Sequence, residues 1–257
     1  MRVLLLSLFL LTIVTPPAMA GIGVILPYDD LVGPGEKTEV TLQLRIFEPR
    51  ERHFVEMARP KGFSVAIFGE ETSLLPGLKA AAEQKTVAWL AEATLKRPGD
   101  YLFHAEAAPI WDPTEEEFVV HHAKLCVNAA GLEEGWDEPA GIDAEIVPMT
   151  RPYGLWTGNL FSGQVLLNGE PAPYATVEVV TLGTSADSPA LTALPAGAYR
   201  VQAVRADATG VFHYAMPRAG WWGFAATVDA DWTIKRDGSE RPVSLVTSYW
   251  VLTRDMP

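Results

Sequence analysis

Thr38-Glu39-Val40-Thr41-Leu42-Gln43-Leu44-Arg45-Ile46 decides the fold class. Val40, Leu42, Leu44 and Ile46 fall on one side of an extended backbone, and Thr41, Gln43 and Arg45 on the other. Side chains alternate across a strand with period two, so this stretch reads as a strand with one buried face. The pattern recurs along the chain. Phe63, Val65 and Ile67 alternate with Ser64, Ala66 and Phe68. Val87, Trp89 and Ala91 lead into a segment that turns at Arg97-Pro98-Gly99-Asp100. Residues 101–106 and 117–127 follow as two more strands, with a Pro-containing loop at 107–116. Residues 74–85 are the one helix-like piece, with three consecutive Ala, although Pro76 and Gly77 interrupt its start.

Composition agrees. Of 257 residues, 48% are hydrophobic and 20% charged, which excludes a disordered chain. The 21 Gly and 20 Pro punctuate apolar runs, as expected of short strands joined by turns. The formal charge is −12, and no basic stripe that would bind nucleic acid is present.

Arg2 precedes an apolar run that ends at Pro16-Pro17 and is followed by Ala18-Met19-Ala20. A charged tip, a short apolar core and an A-x-A site define a secretory signal peptide over residues 1–20, and imply a periplasmic location. The core is shorter than the roughly 20 residues needed to span a bilayer. Cys126 is the only cysteine, so no internal disulfide is expected, and a buried apolar role suits it.

The chain changes character at residues 131–139, an acidic loop around Trp136. Residues 148–158 are irregular, which places a domain boundary near 150. The expected organisation is a β-rich domain over residues 21–149 and a second β-sandwich over 150–257. In the second half, Asn168-Gly169 is a strong hairpin turn and Asp207-Ala208-Thr209-Gly210 another. Residues 183–195 form a Ser/Ala/Pro-rich loop, and strands are expected at 160–167, 175–182, 198–206, 211–215, 222–228 and 243–252. The adjacent rings of Trp221 and Trp222 should point to opposite faces.

The spacing Gly163-x-Val165-x-x-x-Gly169-x-Pro171-x-x-x-Ala175-x-Val177, with Asp207-x-x-Gly210-x-Phe212-x-Tyr214, resembles the carboxypeptidase-regulatory-like, transthyretin-like β-sandwich. Over most of the remaining chain further motifs occur in order. They are Leu26-Pro27, Arg97-Pro98-Gly99-x-Tyr101, Pro109-x-Trp111-x-Pro113, Glu133-Glu134-Gly135-Trp136-Asp137, Ile146-Val147-Pro148-x-Thr150-Arg151-Pro152 and Ala219-Gly220-Trp221-Trp222-Gly223-Phe224. Together they are similar to the exported accessory component of bacterial nickel/cobalt uptake systems of the energy-coupling-factor type. The resemblance implies a mostly β protein of two sandwich-like domains, the second Ig-like or transthyretin-like. It also implies membrane transporter subunits as partners, and nickel or cobalt as the transported ion rather than a resident cofactor. Mature family members often begin with a small residue followed by His. Here the segment is Ala20-Gly21-Ile22-Gly23, so the resemblance does not extend to an amino-terminal nickel site. The alternative function is a cell-surface binding module for carbohydrate or protein, without metal.

No G-x-S-x-G, H-E-x-x-H or phosphate-cradling Gly loop appears, so no enzymatic activity is expected. The histidines are His53, His104, His121, His122 and His213. If residues 101–106 and 117–127 pair as a hairpin with Phe103 opposite Val120, then Tyr101, Phe103, Ala105, Phe118 and Val120 share an apolar face. The other face then gathers His104, Glu106, Glu117 and His121, a donor set suited to a divalent transition metal. The competing reading is a solvated polar strand face, since a one-residue slip exchanges the faces. His53 reads as part of a solvated charged segment, and His213 as an outward strand residue.

Overall fold

A computed structural model describes residues 21–83, 86–183, 194–195 and 197–257. The leader expected at residues 1–20 and most of the loop expected at 183–195 lie outside the described residues. The principal strands are β1 (Ile22–Pro27), β2 (Glu39–Glu48), β3 (Gly62–Ile67), β4 (Glu70–Ser73), β5 (Lys79–Glu83), β6 (Thr86–Thr94), β7 (Gly99–Glu106), β8 (Glu117–Ala129), β9 (Ala144–Pro148), β10 (Leu160–Leu167), β11 (Thr176–Thr181), β12 (Gln202–Arg205), β13 (Val211–Ala215), β14 (Gly220–Asp229) and β15 (Val243–Arg254). Helical structure among the described residues is limited to single 3-10 turns at Leu75–Gly77 and Gly197–Tyr199.

The protein is mostly β, and its sheets stack in three layers. One outer sheet has the order β1-β2-β6-β5, and the central sheet has the order β12-β11-β14-β15-β8-β7-β3-β4. In the other outer sheet β10 pairs with both β9 and β13. The central sheet is covered on both faces. Leu42, Leu44 and Ile46 of the first outer sheet pack with Phe103, Leu125, Val127, Trp221, Trp250 and Leu252. Ile146, Phe161, Val165 and Phe212 of the second pack with Leu102, Cys126, Trp222, Phe224, Tyr249 and Val251. Successive residues such as Trp221 and Trp222, or Tyr249 and Trp250, therefore enter different cores, as strand geometry requires. Cys126 is buried, as expected.

Two sandwiches are present. The second is antiparallel in its principal strands: β12-β11-β14-β15 faces β9, β10 and β13, an immunoglobulin-like arrangement of two packed sheets. Phe161 and Phe224 stack across it at 4.5 Å between centroids, a contact that adds about 1 kcal/mol to simple burial. The boundary expected near residue 150 does not separate the halves. β9 precedes it yet belongs to the second sandwich, and β15 pairs in parallel with β8, from Phe118 opposite Val243 to Leu125 opposite Trp250. Parallel pairs need cover on both faces, which these two strands receive.

Local chemistry explains the turns. Asn168 and Gly169 both adopt positive φ (52° and 78°), which a two-residue hairpin loop requires, and Leu167 pairs with Glu170 across it. The Asp207 carboxylate accepts hydrogen bonds from the Thr209 and Val211 amides, which builds the second turn. At the 97–101 corner the Arg97 amide donates to the Tyr101 hydroxyl, which donates back to the Arg97 carbonyl. Of the helix expected at residues 74–85, the described residues 74–83 form a 3-10 turn and a strand. After the 3-10 turn at Pro76-Gly77, Ala80, Ala81 and Ala82 pair with Trp89, Ala88 and Val87 at the sheet edge. Of the expected strand at 198–206, only Gln202–Arg205 is extended.

β1 is locked beneath the central sheet. The Trp250 indole and the Ser248 hydroxyl both donate to the Gly23 carbonyl, at 2.8 and 2.7 Å. Trp250 occupies the space left by the missing side chain of Gly223, where a Cβ would lie 2.6 Å from two indole carbons. Gly223→Ala is therefore expected to lower stability by about 3 kcal/mol in chemical denaturation, through overpacking alone. A fragment of residues 155–257 lacks β8 and β9, and it should show no near-ultraviolet circular dichroism of packed aromatic rings. A cooperative melt of that fragment would contradict the shared core.

Candidate functional site

The observed β7–β8 ladder overturns the expected metal set. Tyr101 opposes Val127 and Leu102 opposes Cys126. Continued along the strands, this register sets Phe103 opposite Leu125, five residues from Val120. An odd displacement exchanges the two faces. His104 therefore faces the second outer sheet with Leu102 and Lys124. His121 faces the first, where its Cβ lies 3.5 Å from the position a Cβ on Gly23 would take. The two imidazoles stand on opposite faces of the central sheet. Glu106 shares the side of His104, while Glu117 sits at the far end of β8, beside Asp112. His104, His121, Glu106 and Glu117 thus do not converge. Among the described residues no group of three or more His, Cys, Asp or Glu side chains is placed to hold a metal ion.

What the true register gathers is a buried polar strip on β7, β8 and β9. Lys124 and Glu145 form an ion pair in which both side chains are fully buried. Glu145 also accepts the Ala140 and Gly141 amides at 2.8 and 3.0 Å. Its charge is thus met by three donors, which is the condition for burying an ion pair without a large net penalty. Burial pulls the Lys124 pKa down, and Glu145 opposes the shift. His104 lies on the same face, with its Nε2 3.2 Å from Glu71 of β4. Burial lowers its pKa, while Glu71 raises it.

His122 completes the strip. Both of its ring nitrogens are buried without a hydrogen-bond partner. Burial pushes its pKa down to about 4, with His104 adding to the shift and Asp143 and Glu145 opposing it. A cleft of about 120 Å³ opens beside His104, lined also by Glu71, Asp100, Glu138 and Pro139. Burial raises the carboxyls of Glu106 and Glu117 above the ordinary range. His53 is exposed beside Glu51, and His213 faces outward with its Nδ1 2.5 Å from Ser162 Oγ.

A second buried network joins the start of the chain to its end. Asn128 donates to Asp100 at 2.7 Å and lies 3.3 Å from the Tyr153 hydroxyl. Asp30 accepts the Gly154 amide at 3.0 Å and faces Arg254 at 3.6 Å. Burial lifts the Asp30 pKa to about 7. Nothing in the spacing of residues 29–30 and 254 signalled this network, because the residues meet only in the folded sheet, where Leu31–Val32 pairs with Asn128–Ala129 and Leu155–Trp156 with Thr253–Arg254.

Fold and strip together define an all-β protein of three stacked sheets with a charged centre. The chain matches the family model DUF4198, a domain of unknown function, over residues 18–230, and it belongs to that family. No curated protein matches. Among solved structures it is similar to Salmonella alpha-2-macroglobulin reacted with methylamine, at 15% identity over 93% of this chain and 15% of that one, with a TM-score of 0.25. The chain thus spans about 15% of the length of that relative. It is also similar to the titin Ig tandem domains A164-A165, at 10% identity, 93% of this chain, 100% of that chain and a TM-score of 0.20. A DUF3823 family protein from Bacteroides uniformis matches at 9% identity, 91% and 100% coverage and a TM-score of 0.22.

The strip generates two expectations. Glu145→Gln leaves the Lys124 ammonium buried and unpaired, and should cost about 3–5 kcal/mol, whereas Lys124→Met combined with Glu145→Gln, which keeps an acceptor for the Ala140 and Gly141 amides, should recover most of that loss. A double-mutant cycle in urea checks this. His122 is held neutral below its unfolded pKa of 6.5, so between pH 6.5 and about 4 the unfolded chain binds more protons and stability falls as pH falls. The Asp30 carboxyl acts oppositely, since its raised pKa favours the folded state at low pH. His122→Leu should remove the acid-side loss, about 2–3 kcal/mol at full effect. It should also raise stability at pH 7, as seen in melts at pH 4.5 and 7.

Proposed function

We propose that the protein is an exported accessory or capture component of a nickel/cobalt uptake transporter, working by binding at the outer face of the membrane. The ordered motif set from Leu26-Pro27 to Gly223-Phe224 carries this reading. In the fold those motifs are anchors spread through all three layers: Tyr101 closes the 97–101 corner, and Trp221 and Trp222 enter the two cores. The resemblance therefore extends over one continuous structural unit and is not confined to the second sandwich. The proposed role does not depend on the four residues that the β7–β8 register separates.

Export is supported by the position of the A-x-A sequence. It ends at Ala20, just ahead of β1 (Ile22–Pro27), every residue of which is buried. Cleavage there leaves the first strand whole. The alternative of a cell-surface module without metal draws support from a cleft walled by Tyr214 and Trp222, because aromatic rings offer stacking faces.

Two measurements separate these readings. Mass spectrometry of the exported protein should give an amino terminus at Gly21, and a retained leader would make the protein membrane-anchored. Deleting the chain should lower cellular nickel or cobalt accumulation several-fold, with recovery on complementation. Unchanged metal content, together with oligosaccharide quenching of tryptophan fluorescence, would select the alternative.

A further inference from the structure

Arginines converge at one edge of the central sheet, in a protein whose formal charge is −12. Arg52 follows β2 in a turn with φ of 60°, and its side chain is 8% exposed. Its Nη2 donates to the Thr181 carbonyl at 3.2 Å, which aims the guanidinium at the end of β11. Thr181 lines a cleft of about 200 Å³ together with Arg200, Arg218, Tyr214 and Trp222. The Arg218 guanidinium stands 5.9 Å from the centre of the Trp222 ring. Arg200 is held by a hydrogen bond from Nη1 to the Arg50 carbonyl at 2.8 Å.

The hydrogen-bonding of these groups is incomplete. Arg52 Nη1, Arg200 Nε and Arg218 Nη2 are all buried without a partner. Burial lowers the Arg52 pKa, and the neighbouring Arg218 and Arg200 charges lower it further. Glu178 does not relieve this cluster: it pairs with Arg50 at 3.1 Å, and the charges acting on it are those of Arg50 and Glu48. Like charges gathered with unfilled donors are costly unless an anion completes them. Guanidinium forks match the oxygens of carboxylates and phosphates.

We propose that this cleft binds a small oxyanion carrying two or more negative charges, with Arg200 and Arg218 donating to its oxygens, Arg52 adding positive charge from beside the cleft, and Trp222 and Tyr214 forming its apolar wall. The site is independent of the transport reading and stands if that reading fails. The cleft has room for a phosphate or a small polycarboxylate, since water occupies about 30 Å³ in the liquid. The anion offsets the repulsion among the three guanidiniums, and so it steadies the turn after β2 against the loop before β14.

Calorimetric titration of the full chain with inorganic phosphate and with citrate tests this, with sodium chloride at matched ionic strength as the control. Saturable binding of at least one of the two oxyanions is expected, with a matching rise in melting temperature that chloride does not reproduce. Preference for phosphate or for citrate then identifies the ligand class. Arg218→Ala should weaken binding about tenfold or more, as expected for loss of a charge-assisted donor, and Arg52→Met should weaken it less, through loss of a neighbouring charge. Arg52→Met should also melt higher than the parent in the absence of oxyanion, because a repelled buried charge is gone. Should that variant fail to fold, Arg218→Ala carries the test. No heat with either oxyanion, equal stabilisation by chloride, or undiminished affinity in Arg218→Ala would overturn the site.

Discussion

The parallel ladder between β8 and β15 is the constraint on which the rest of the structure depends. It places two long strands at the centre of a sheet that is covered on both faces. Every side chain on these strands must therefore satisfy one of two cores. Trp250 and Leu252 serve one, and Tyr249 and Val251 the other. Polar residues in such strands need built partners. Ser248 has the Gly23 and His122 carbonyls, Lys124 has Glu145, and Asn128 has Asp100. The ladder also fixes β1, whose Gly23 carbonyl accepts from two β15 side chains, Ser248 and Trp250.

The same double burial explains what could and could not be read from the sequence. β2 announces itself by alternation, although its polar positions Gln43 and Arg45 turn out to be buried as well, and the Asn168-Gly169 hairpin follows from backbone chemistry. The candidate site was not legible. Tyr101-Leu102-Phe103 and Leu125-Cys126-Val127 are apolar at successive positions because both faces are covered, so periodicity there carries no phase. Choosing the register from one apolar face was under-determined, and the true register sends His104 and His121 apart. The Ala run at 80–82 carried helix propensity, but an exposed sheet edge took it as a strand. The boundary near 150 rested on irregular sequence, which here marks a crossing between layers of one unit.

Electrostatics enforces the register that hydrophobicity leaves open. A one-residue slip of β8 would turn Lys124 away from Glu145, leaving an ammonium among apolar side chains of the first core and a carboxylate without its cation. Unpaired buried charges cost several kcal/mol each, far more than one strand gains by sliding. The His122 imidazole adds to this only in its neutral form, consistent with the direction in which burial moves its pKa.

β15 follows every other strand of the central sheet in sequence, yet it lies in the interior of that sheet, between β14 and β8. A chain made from its amino terminus holds β14 and β8 apart until β15 has been added. No stretch that stops short of β15 contains a complete central sheet. The two buried cores can therefore close only after the sheet's last strand is in place.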